Sequence, residues 1–125
     1  MSQETRKLGT GFLASTGVGY FLGKEFLGKM NNNSDKACAH VMVSGRVQGV
    51  AFRYYARNIA YQLGIKGWIK NLANGDVELV IAGRQESVKK MVEWCKKGPR
   101  MAIVENTEVD WLPYSGEYNL FQIKT

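Results

Sequence analysis

The stretch Ser44-Gly45-Arg46-Val47-Gln48-Gly49-Val50-Ala51-Phe52-Arg53 joins an apolar alternating run to a run of helical periodicity. It reads as a strand, a tight loop and a first helical turn. Gly45 and Gly49 tolerate backbone angles that other residues resist, so the chain between them can curl with consecutive amide N–H groups facing one concavity. A helix start adds unpaired N–H groups and the positive end of a dipole, roughly half an elementary charge. Arg53 adds a planar guanidinium fork. These groups favour an anion, and phosphate fits them best. An arginine at a helix start is ordinarily a surface residue; the glycine-bracketed loop beside it is what singles Arg53 out.

A second motif lies downstream, Gly67-Trp68-Ile69-Lys70-Asn71-Leu72-Ala73-Asn74-Gly75-Asp76-Val77. Asn71 stands just before a hairpin turn, where composition alone makes it a turn or strand-end residue. Taken together, the two motifs resemble the acylphosphatase family, whose G-x-V-Q-G-V-x-F-R loop is followed at this interval by G-x-x-x-N-x-x-x-G-x-V. Ala51 fills a slot where many relatives carry glycine. The resemblance spans residues 37 to 125. It implies that Arg53 binds the substrate phosphate with the loop Arg46, Val47, Gln48, Gly49, Val50, Ala51 and Phe52, and that Asn71 orients the attacking water. It also implies hydrolysis of small acyl phosphates, with inorganic phosphate as product and competitive inhibitor.

The residues that are missing fit this chemistry. A phosphomonoesterase expels a poor alkoxide leaving group and usually supplies a general acid, a covalent nucleophile or metal ions. None is visible near the loop. An acyl phosphate is a mixed anhydride whose carboxylate leaving group has a conjugate acid of pKa about 4 and departs without a proton. Such a substrate needs positioning and charge stabilisation alone. No base for the water's proton is evident, and the resemblance points to the substrate's own phosphate. Gln48 is read as a structural hydrogen-bonding residue of the loop. Cys38 and Cys95 are read as buried free thiols, and with His40 the only histidine no metal or other cofactor is expected.

The elements that must position these groups follow in order. Ala37 to Ser44 alternates as a half-buried strand, with Val41 and Val43 on one side and His40 and Met42 on the other. Phe52, Ala56, Ile59, Ala60 and Leu63 form one helix face, closed by Gly64. Ile65 to Leu72 and Val77 to Ala82 read as two strands joined through Asn74-Gly75. Gln85 to Lys97 is a second amphipathic helix, stopped by Gly98-Pro99. Ala102 to Trp111 and Asn119 to Lys124 read as two more strands. The pattern predicts an α+β, ferredoxin-like βαββαβ sandwich, with two helices on one face of an antiparallel sheet.

The chain has 125 residues, 45% of them hydrophobic, and a net charge of +6. That suits one small domain with anionic partners. Residues 1–36 are read as an N-terminal extension before the domain at 37–125. Within it, Leu8 to Gly23 is uncharged but short and glycine-rich, so a flexible tail is favoured over membrane contact. The polar run Asn31 to Lys36 marks the joint, and translation could begin at Met30. Neither a secretory signal nor a transit peptide fits, so a cytoplasmic monomer is expected. A non-catalytic ferredoxin-like module binding RNA or an acidic protein is the alternative. It is disfavoured, with nucleic acid, because Trp68, Trp94 and Trp111 sit in no basic aromatic cluster. An acylphosphatase-like domain serving carbamoyl transfer belongs to longer chains.

Overall fold

Seven elements follow one another in the computed structural model, which describes residues 35–125. They are β1 (Lys36–Arg46), α1 (Phe52–Leu63), β2 (Lys66–Asn71), β3 (Val77–Arg84), α2 (Gln85–Lys97), β4 (Ile103–Leu112) and β5 (Phe121–Lys124). The extension read over residues 1–36, including Leu8–Gly23 and Met30, lies outside the described residues apart from its last two positions. Among the described residues no helix is long and apolar enough to cross a membrane.

The sheet runs β4-β1-β3-β2-β5. Cross-strand register puts Ala39, Val41 and Val43 of β1, Ile69 of β2, and Val77, Leu79 and Ile81 of β3 on one face. All are fully buried. Ala56 and Ala60 of α1 and Val88, Met91, Val92 and Cys95 of α2 pack on that same face. The period-2 and period-3.6 apolar patterns therefore meet in one two-layer core.

Two details depart from the sequence reading. β5 pairs with β2 in parallel, so the sheet is antiparallel only from β4 to β2. The chain from β4 to β5 must reach the opposite edge, and Tyr114 and Tyr118 of that connection pack on Cys38, Val80 and Ala82 of the other sheet face. β1 also extends past Ser44 to Arg46. A bulge between Ser44 and Gly45 shifts its register against β4, and a β-carbon at Gly45 would stand 2.2 Å from the carbonyl oxygen of Ile103. The freedom of Gly45, at φ +123°, serves this close approach of two strands, and Gly45 lies in β1 and not in the loop that follows.

Candidate functional site

With β1 ending at Arg46, the loop is left with Val47 to Ala51. Val47 drops its side chain into the core, and Gly49 turns the chain at φ 76°. Ala51 follows at φ 62° and ψ 24°, a left-handed conformation and the single positive φ outside glycine among the described residues. This loop aims the first turn of α1. Phe52, the first helical residue, is 1% exposed and meets Trp94 in a tilted contact, with ring centroids 5.1 Å apart and planes at 60°. A buried aromatic of this size contributes about 2–3 kcal/mol and pins the helix start to the core. Gly98 leaves it room, for a β-carbon there would lie 2.9 Å from the Phe52 ring.

The start of α1 is bare. Its N-cap residue, Ala51, offers no side-chain hydrogen bond, and no acidic residue stands in the first turn. Ser, Thr, Asp or Asn normally satisfy the orphan N–H groups at this point. Here those groups and the dipole stay available to an anion.

Asn71 arrives from the sheet. It is the last residue of β2, paired with Val77, on the face that carries Ile69 and Val43 into the core. Alternation along the strand thus turns its amide toward the helical layer at the end where the loop lies. Its Oδ1 is buried without a hydrogen-bond partner among the described residues. An unpaired buried acceptor costs about 1–3 kcal/mol, so it calls for an external donor.

A cleft of about 270 Å³ joins the two parts. Val47, Gln48, Gly49 and Ala51 form its loop wall, Phe52, Arg53 and Tyr54 its helical wall, and Asn71 closes it. Gln48 ties the walls together: its side-chain amide donates to the carbonyls of Leu72 at 2.7 Å and Asp76 at 2.8 Å. The hairpin is closed by its own bonds, Leu72 N–H to Asp76 O at 2.8 Å and Asp76 N–H to Asn74 Oδ1 at 3.0 Å.

Of the nine expected site residues, seven line this cleft. Arg46 does not; it ends β1 opposite Ile103. Val50 does not either, since it packs against the core. Val47 and Phe52 face the core with their side chains, so only backbone can serve an anion there. Tyr54 was not expected. Its sequence signal was adjacency to Arg53, masked because an aromatic on the polar side of a helix reads as surface. Among the described residues no cluster of three or more His, Cys, Asp or Glu could hold a metal ion.

The acylphosphatase family model matches residues 39–123. The chain is 50% identical over 88 residues to an acylphosphatase from Pelotomaculum thermopropionicum, covering 70% of this chain and 96% of that one. An acylphosphatase structure from Coxiella burnetii superposes with a TM-score of 0.70 at 40% identity, over 74% of this chain and 96% of that one. The acylphosphatase of Bacillus subtilis gives 0.69 at 30% identity, over 71% and 99% respectively.

Proposed function

The chain belongs to the acylphosphatase family, and from that premise we propose that its cleft hydrolyses the carboxyl–phosphate bond of small acyl phosphates, with each wall in a separate role. The loop and first-turn amides, with Arg53, hold the phosphoryl oxygens. Asn71 Oδ1 accepts a hydrogen bond from a water and turns its lone pair toward phosphorus. Water attacks phosphorus, the bond from phosphorus to the acyl oxygen breaks, and its electron pair leaves on the carboxylate. The water's proton passes to a phosphoryl oxygen. Products are a carboxylate and inorganic phosphate, and no general acid is needed because the leaving carboxylate is a weak base of pKa about 4.

The observation that carries this reading is the buried, unpartnered Oδ1 of Asn71 on the same cleft as Arg53 and an uncapped helix start. One wall suits an anion and the other suits a hydrogen-bond donor that none of the described residues supplies. The test is phosphate release from benzoyl phosphate and from a phosphate monoester, each with chelator present. Turnover of benzoyl phosphate alone is the expected result. Equal turnover of both, or of neither, overturns the reading.

A further inference from the structure

Arg53, Gly49 and Asn71 account for the phosphoryl end of the cleft, yet nothing so far meets the acyl group. A phosphoryl group held by the loop and first-turn amides would direct its acyl substituent out of the cleft past the rim. Tyr54 stands there. Of the cleft-lining residues it is the one large side chain left open to solvent, 56% exposed, whereas the other aromatic, Phe52, is 1% exposed and committed to the core. Successive helical residues point about 100° apart, so the Tyr54 ring flanks the Arg53 guanidinium and does not compete with it for phosphate.

The ring is also held in place. The Arg57 guanidinium carbon lies 5.5 Å from its centroid, within cation–π range, and the two residues are one helical turn apart. An exposed tyrosine braced on one side by a cation offers its remaining surface with fewer rotamers to lose on binding. Neither Gly49 nor Ala51 offers comparable area, and Gln48 is engaged with the hairpin.

We infer that Tyr54 is the specificity-determining residue for the acyl group, stacking on aromatic or other planar apolar acyl substituents of the phosphoanhydride. The inference rests on the acyl phosphate reading above. Small aliphatic acyl groups such as acetyl gain little from the ring, since they present too little surface to stack.

The experiment compares kcat/KM for benzoyl phosphate and acetyl phosphate in the wild type, Tyr54→Ala and Tyr54→Phe, with inorganic phosphate inhibition measured alongside. Tyr54→Ala should lower the benzoyl-to-acetyl ratio about two- to twelve-fold, the range an aromatic pair supplies. Tyr54→Phe should keep the wild-type ratio, because the ring and not the hydroxyl is invoked. Phosphate inhibition should keep its strength in both variants. An unchanged ratio in Tyr54→Ala, or an equal loss on both substrates, overturns the inference while leaving the acyl phosphate reading standing. A wild type that hydrolyses neither substrate removes that reading, and the inference with it.

Discussion

The side-chain amide of Gln48 donates to the backbone carbonyl of Leu72 at 2.7 Å, and so links the loop before α1 to the residue that follows Asn71. Its second proton goes to Asp76 O at 2.8 Å. Two parts of the chain that are remote in sequence thereby share one side chain, and the loop and helix-start wall that carries Arg53 is set against the wall that carries Asn71. Preorganisation of this kind matters because small misplacements of reacting groups cost large factors in rate.

Gln48→Ala should therefore lower both stability and turnover. The Leu72 and Asp76 carbonyls each keep a backbone donor but lose the one from Gln48, worth about 1–2 kcal/mol in all, or a fall in melting temperature of roughly 5–10 °C for a domain of this size. Gln48→Glu should be at least as damaging, since a carboxylate can donate to neither carbonyl. Thermal melts of the two variants check this, and an unchanged Gln48→Ala melt would show that the bridge contributes nothing.

Arg53→Ala should abolish most turnover and weaken competition by inorganic phosphate, because it removes the side-chain charge on the anion wall. Arg53→Lys should not rescue either property, as a lysine offers a point charge and no bidentate fork. Inhibition constants for phosphate, measured beside turnover, decide the matter. A lysine variant with near-normal values of both would rule out the forked geometry.

Much of this arrangement was legible in the sequence, for physical reasons that differ by residue. α2 was readable at both ends because Val88, Met91, Val92 and Cys95 keep a strict helical stripe and Gly98 stops it. Gly64 ended α1 in the left-handed conformation a C-terminal glycine favours. The role of Gly45 was misjudged because glycine's freedom has two uses, a turn or a close approach, and only the neighbouring strand shows which applies. The parallel pairing of β5 was equally out of reach, since a four-residue strand carries no record of its partner. Likewise, nothing in Gln48 names Leu72, a contact made by folding across 24 positions.

Ala51→Gly should stabilise the protein. The left-handed conformation at φ 62° costs an L-residue about 1–2 kcal/mol, while the added freedom of glycine in the unfolded chain costs about 0.4–1 kcal/mol. The difference favours glycine by about 0.5–1 kcal/mol, a rise in melting temperature of roughly 2–6 °C. Ala51→Val should move the other way, for a β-branched residue resists this region more strongly. Should Ala51→Gly melt below the wild type, the strain assigned to this position is absent.

Burial pushes the Cys95 thiol from 9.0 up to about 12, and burial with the nearby charge of Glu117 raises Cys38 as well. Both thiols therefore stay protonated in the folded protein at pH 8, and Ellman's reagent should find two thiols per chain only after unfolding. The sign of the pH effect follows. A folded pKa above the unfolded one contributes stability that is complete below pH 9 and is lost as pH rises from there toward about 12. Cys95→Ala should start less stable, because it opens a cavity, but should lose less between pH 9 and 12 than the wild type does. Parallel slopes in denaturant titrations over that window would count against a buried, protonated Cys95.

Asn71→Ala should separate catalysis from both binding and stability. Its Oδ1 is buried beside the cleft with no partner among the described residues, so truncation removes no hydrogen bond to them. Stability should hold or improve by up to about 1 kcal/mol, unlike the loss expected at most partly buried polar residues. Turnover should fall about 10²- to 10³-fold, the usual effect of deleting one well-aimed polar group from an active site. Phosphate should still compete at near wild-type strength, since the anion wall of loop amides and Arg53 is intact. A residue kept for packing would give the opposite signature, a lower melting temperature with turnover preserved. A residue that holds phosphate would lose competition along with turnover, and either result would remove Asn71 from the water-positioning role.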